Sequence, residues 1–247
     1  MTISKLPPPY PRMGEIYRAL ALAFDTKAKN RDVDRYAREG DVDWRLPVNL
    51  IHELFLEPIK EITNTHFSDF LYRSLVGFHQ NYISLVGGVE VNTLPRENCL
   101  PILIEHYFIP YGALALYEAG KNFGCPNLIQ LLSNQTTTAA VFSWLSPDDP
   151  SALIKSAYPD SVGSDKTSKD NILRWIKGEH LPDLSSIKLL LGALQANGTS
   201  TQALENIGIW LLIARAVDWF EKKCDASDPK ALMRSFILSG RLIEQVE

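Results

Sequence analysis

Residues 168–194 read Ser168-Lys-Asp-Asn-Ile172-Leu-Arg-Trp175-Ile-Lys-Gly178-Glu-His-Leu-Pro182-Asp-Leu-Ser185-Ser-Ile187-Lys-Leu-Leu190-Leu-Gly-Ala193-Leu194. Ser168 is a natural N-cap, Ile172, Trp175 and Ile176 recur at spacings of three and four, and Gly178 supplies the left-handed residue that ends a helix. Pro182 keeps the following chain out of that helix. Asp183 or Ser185 can cap a second one, whose apolar stripe is Leu184, Ile187, Leu190, Leu191 and Leu194. Two short helices therefore meet across a tight turn begun by a glycine. With Ile172 and Trp175 turned inward, Lys169, Asp170, Asn171, Arg174 and Lys177 are left on the outer side, a polar face of the kind that enters a DNA major groove.

Working outward, helical periodicity dominates. Upstream of this pair lie a polar loop at 159–167, a short helix at 151–158, and the Ser146-Pro-Asp-Asp-Pro150 stretch, the best boundary in the chain. Before it come amphipathic segments at 13–24, 46–62 and 67–86, a buried helix at 100–123 interrupted at Pro110, and shorter helices at 127–133 and 136–145. Gly87-Gly88 followed by Val89, Val91 and Leu94 reads as a short strand or an extended connection. Downstream, helices at 202–223 and 228–246 are separated by a Ser227-Asp228-Pro229 start signal. The expected fold is all-α and multi-helical, with a helix-turn-helix-like C-terminal half and at most a short β segment near 89–94. The expected division is an N-terminal helical domain at 1–146, a helix-turn-helix-like domain at 147–200 and a C-terminal helical hairpin at 201–247. An echo of the central motif, Val33-Asp-Arg35-Tyr36-Ala-Arg38-Glu-Gly40, is taken as chance.

Composition narrows the function classes. The 247 residues are 45% hydrophobic and 22% charged, enough for a real core. A net charge of −4 argues against a protein that coats nucleic acid through a basic surface. Cys99, Cys125 and Cys224 are an odd number at wide spacings, fitting neither a disulfide framework nor a zinc site, so a reducing, cytoplasmic setting is expected. The N-terminal MTISKLPPPYPRMGE has prolines where a secretory signal needs an apolar core, so no export is expected. Neither 100–117 nor 207–220 supplies the roughly twenty uninterrupted apolar residues that span a bilayer, and no membrane association is expected. Apolar residues on most sides of 207–220 suggest either a surface for a homodimer or a central helix buried wholly within its own domain.

The pattern S-x-x-x-I-x-R-W-x-x-G-x-x-x-P-x-x-x-x-I-x-x-L-x-x-A-L at 168–194 resembles the third and fourth helices of Cro/CI-type (XRE-like) helix-turn-helix domains, over about a tenth of the chain. The resemblance implies that the helix before Gly178 is the recognition helix. Lys169, Asp170, Asn171 and Arg174 then fall where base edges are contacted, and Lys166 and Lys177 where phosphates are. The nine-residue loop at 159–167 departs from the family's short turn. Charge departs from a basic stripe as well: Lys155, Lys166, Lys169, Arg174, Lys177 and Lys188 are offset by Asp160, Asp165, Asp170, Glu179 and Asp183.

Other chemistry is thinly signalled. His52, Glu53, Glu57 and Glu61 match neither H-E-x-x-H nor the E-x-x-H of di-iron bundles, and read as a solvated helix face. His66, His79 and His106 are scattered among aromatic residues and suit hydrogen bonding better than metal ligation. No catalytic motif, cofactor-binding motif or metal site is found, so no enzyme activity and no cofactor are expected. The expectation is a sequence-specific DNA-binding transcriptional regulator of double-stranded DNA, acting as a homodimer, with 1–146 sensing an unidentified small-molecule or protein effector. The alternatives are a helical interaction or scaffold protein without DNA binding and, behind it, an unrecognised enzyme.

Overall fold

The computed structural model describes residues 8–26, 33, 48–88, 94–124, 136–149, 151–158 and 164–223, the side chains of 164–168 excepted. The helices expected at 127–133 and 228–246, the core of the short β segment at 89–93, Cys125, Cys224 and positions 34–40 of the echo lie outside the described residues. Every element among the described residues is helical, so the fold is all-α.

The order is α1 (Met13–Ala23), α2 (Val48–Ile51), a π-helical turn (His52–Leu56), α3 (Glu57–Ile59), α4 (Thr65–Gly88), α5 (Arg96–Leu103), a second π-helical turn (Ile104–Phe108) and α6 (Ile109–Phe123). There follow α7 (Thr137–Leu145), α8 (Ala152–Ala157), α9 (Ser164–Ile176), α10 (Leu184–Ala196) and α11 (Thr201–Lys223).

Both π turns have the same local cause. Each ends two residues before a proline, Pro58 or Pro110. A proline has no N–H to bond the carbonyl four residues back, and its ring crowds that carbonyl. A wider turn just upstream relieves the clash without breaking the helix. The chain therefore does not stop at Pro110, as the sequence suggested; Arg96–Phe123 is one continuous helical run of 28 residues. By length and mean hydropathy (1.4) it is the one run among the described residues that could cross a bilayer, and 28% of that window is buried inside the fold. Glu105 and His106 stand exposed on it. Tyr107 and Tyr111 bind it to α4, donating to the carbonyls of Phe78 (3.1 Å) and Ser74 (2.8 Å). Around them Phe78, Tyr82, Tyr107 and Phe108 pack ring on ring at 5.6–5.9 Å, within the range of favourable aromatic pairs.

The centre of the molecule is α11, which packs against α1, α7 and α10. Leu204, Ile207, Gly208, Ile209, Trp210, Leu211, Leu212 and Ala214 are all buried on it. Most apolar residues of this segment lie inside the chain, while Ile213, Val217, Trp219 and Phe220 are half-buried. Gly208 is needed for the packing: a Cβ there would stand 2.1 Å from the Ile62 carbonyl oxygen, so only glycine lets the segment after α3 lie against the helix. Trp210 is fully buried, with its Nε1 donating to the Phe123 carbonyl (3.4 Å) and its ring edge-on to Trp144 at 6.0 Å. One hydrophobic core runs without interruption from Tyr10 to Ala214.

Candidate nucleic-acid interface

The helix that carries the polar face begins earlier than its sequence suggested. α9 starts at Ser164 rather than after a cap at Ser168, so 164–167 belong to the helix and not to the loop expected there. No glycine or proline falls between 164 and 168 to stop the helix extending backward; the first upstream is Gly163.

Its C-terminus closes as the sequence foretold. Gly178 is left-handed (φ 73°), its N–H bonds the Trp175 carbonyl (2.9 Å) and the Glu179 N–H bonds the Arg174 carbonyl (3.0 Å). These two bonds are the Schellman closure of a helix end. Space also demands glycine here: a Cβ would meet the Thr136 methyl at 2.6 Å. Lys222 Nζ donates to the Gly178 carbonyl (3.1 Å), so the end of α11 holds the same turn.

The turn continues into a second, ionic anchorage. Asp183 caps α10, accepting from the Ser186 N–H (2.8 Å), and Ser185 and Ser186 hydroxyls also donate to its carboxylate. Burial raises the Asp183 pKa, but these hydrogen bonds outweigh it and leave the carboxyl below its ordinary value. The next N–H, of Leu184, bonds Asp25 Oδ2 (2.8 Å). Asp25 adopts a left-handed φ of 57° at the end of α1, a conformation that aspartate tolerates better than most residues. Its other oxygen pairs with Arg215 Nη2 (3.3 Å). Arg215 is buried on α11 and donates to the carbonyls of Pro182 (2.5 Å), Leu22 (2.8 Å) and Ala23. One guanidinium thus ties α1, the turn before α10 and α11 together.

One turn further along α11, the buried Asp218 carboxylate caps α7. It accepts from the N–H groups of Thr137 (2.6 Å) and Thr138 (3.0 Å) and from the Thr138 hydroxyl (2.6 Å). In the sequence Arg215 and Asp218 are simply two charges that interrupt the apolar run at 207–220. Their partners are far away in the chain, so the one available signal was two charges inside a stripe that had to be buried.

Against this frame the expected site residues divide. Ile172 and Trp175 are buried, each 2% exposed. α9 packs chiefly on α7 rather than on α10, the helix that follows it across the turn. Asp170, Asn171, Arg174 and Lys177 are exposed, and Lys169 is half-buried. The Lys166 side chain lies outside the described residues. Asp170, Arg174 and Lys177, at i, i+4 and i+7, share one outer stripe. Arg174 Nε donates to Glu179 Oε2 (3.2 Å), both side chains about half exposed.

Comparisons with protein-family models, with curated proteins and with solved structures give no match.

Several of the other polar groups considered from the sequence have partners of their own. Glu57 accepts from Lys60 (2.6 Å) and Glu61 from Lys188 (2.6 Å), which hold both carboxyls below their ordinary values. Tyr17 Oη and His79 Nδ1 are hydrogen-bonded at 2.7 Å in the core, and the His66 ring packs on Phe123 at 5.1 Å. Among the described residues no group of three or more His, Cys, Asp or Glu is placed to hold a metal ion.

Proposed function

We propose that the chain is a cytoplasmic, sequence-specific DNA-binding regulator that reads duplex DNA with the outer stripe of α9, as the resemblance to Cro/CI-type domains implies. The observation that carries this reading is the exposure of Asp170, Asn171, Arg174 and Lys177 on a helix whose other side, Ile172 and Trp175, is fully packed. A recognition helix needs that combination, since base-reading side chains work only from a rigidly seated element. The Schellman closure at Gly178 and the Lys222, Arg215 and Asp25 bonds seat the turn behind it. On this reading Arg174 contacts a guanine edge and Lys177 a phosphate. The described residues of each chain offer one such helix, so two copies supply paired half-sites, and the helices up to residue 146 receive an effector.

Selection from random duplexes followed by titration tests it. Arg174→Ala should cost about 1–3 kcal/mol on the selected duplex and relax preference at one base position, while Lys177→Ala should weaken all duplexes alike and flatten the salt dependence by about one counterion. Failure of the parent chain to bind any duplex at low salt would end the proposal. The rival reading, a helical interaction protein, draws on the balanced charge of the same stripe, where Asp170 stands one turn from Arg174 and Glu179 accepts from it.

A further inference from the structure

We infer that Glu179 is a positioning residue that fixes the Arg174 guanidinium end-on for a guanine. This rests on the DNA-reading role proposed for α9. Residues five apart on a helix do not ordinarily meet, because they point to different sides. Here the backbone has left the helix at Gly178, and the bond from the Glu179 N–H to the Arg174 carbonyl (3.0 Å) brings the two residues alongside. The side chains then close a second link: Arg174 Nε donates to Glu179 Oε2 at 3.2 Å.

The atom used decides what the pair can do. A guanidinium carries five N–H donors in a planar fork. The carboxylate takes the one on Nε and, among the described residues, nothing bonds the Nη1 and Nη2 pair. That pair is the fork that matches guanine O6 and N7. Held through Nε, the guanidinium loses freedom of rotation before DNA arrives, so less ordering remains to be done on binding. The same carboxylate puts a negative charge beside the phosphate backbone, which lowers affinity for every sequence. Glu179 therefore trades general affinity for discrimination at one base.

These two effects have opposite signs: any carboxylate beside the phosphate backbone produces the first, and only one that positions Arg174 produces the second. Glu179→Gln should bind a scrambled duplex more tightly than the parent does while its preference for the selected duplex over the scrambled one falls by roughly fivefold, the scale of one exposed ion pair. Loss of preference should be confined to the base position that Arg174→Ala also relaxes. In an Arg174→Ala background, adding Glu179→Gln should leave the preference unchanged and still raise scrambled-duplex affinity, as a double-mutant cycle requires if one residue acts through the other. Melting temperatures of all three variants establish that they are folded, which the exposure of both side chains favours. An unchanged preference in Glu179→Gln, or an equal loss of preference with and without Arg174, overturns the inference while leaving DNA reading by α9 intact. Absence of duplex binding by the parent chain overturns both.

Discussion

Arg215 and Asp218 on α11 are buried and direct their bonds mainly at backbone: carbonyls at the end of α1 and before α10, N–H groups at the start of α7. Asp170, Arg174 and Lys177 on α9 stand in solvent, and the one ion pair shown among them uses a neighbour on the closing turn. The two helices carry similar charges to opposite ends. A buried charge persists only where its hydrogen bonds are met, so its partners are fixed by the fold. An exposed charge is held at most by a weak ion pair, as Arg174 is by Glu179, and its remaining donors stay available to a partner. If this contrast is right, stability and binding should be lost from different residues.

The largest effect should come from the packed side of α9. Trp175 is 2% exposed beneath the proposed reader, and Trp175→Ala should cost about 3–5 kcal/mol by urea denaturation if the site cannot collapse around the gap. An unchanged midpoint would mean that α9 is not seated on the core, and the contrast would lose its first half.

Next in size is the cap on α7. Asp218→Ala strips the acceptor from two buried N–H groups and one hydroxyl, and should cost about 2–4 kcal/mol. Asp218→Asn keeps one acceptor oxygen and should fall between that variant and the parent in the same denaturation series. Equal stability of all three would show that the carboxylate is not what holds α7 to α11.

A smaller, pH-dependent effect belongs to Glu221, one turn beyond Asp218. Burial, and then the Asp218 charge, push its carboxyl up to about 7. The folded chain therefore keeps this proton to higher pH than the unfolded chain, where a glutamate titrates near ~4.3. Stability from this group is fully present below the unfolded value and is lost as pH rises through about 7. Glu221→Gln stays neutral, so it should gain about 1–2 kcal/mol on the parent between about pH 5 and pH 8, a figure reduced for the partial exposure of the group. Thermal melts at both ends of that window check the sign.

What the sequence disclosed follows the same division between local and distant causes. The helix pair at 168–194 was legible because periodicity, Gly178 and Asp183 are local instructions, and the burial of Ile172 and Trp175 follows from them. The early start of α9 was hidden because polar residues without a glycine or proline look alike in a loop and in a helix. The π turn before Pro110 was hidden because a proline within a helical pattern reads as a stop, while here the helix runs on through it; the one before Pro58 was hidden because the apolar repeat at 46–62 does not distinguish a π turn from an α turn. The Asp218 bond to Thr137 spans 81 residues and the Arg215 bond to Ala23 spans 192, and no local pattern announces either. On the candidate interface, the exposed stripe was legible from the helical repeat. The bond of Glu179 to Arg174 was not, since it depends on how the chain turns after Gly178.

The smallest expected effect is the sharpest test of the contrast, because it asks for nearly no change. Arg174 and Glu179 are each about half exposed, and an ion pair in that setting is worth about 0–1 kcal/mol after side-chain ordering and screening are counted. Alanine also has a better helix propensity than arginine, which offsets part of the loss within α9. Lys177 is exposed just past the last residue of α9 and fills no cavity. Arg174→Ala and Lys177→Ala should therefore stay within about 0.5 kcal/mol of the parent, roughly 1–2 °C in Tm for a chain of this size. A loss above about 1.5 kcal/mol in Arg174→Ala would mean that the outer stripe helps to hold the fold together. Its exposure would then no longer point to a partner, and any weakened duplex binding in that variant would have to be read as unfolding rather than as a lost contact.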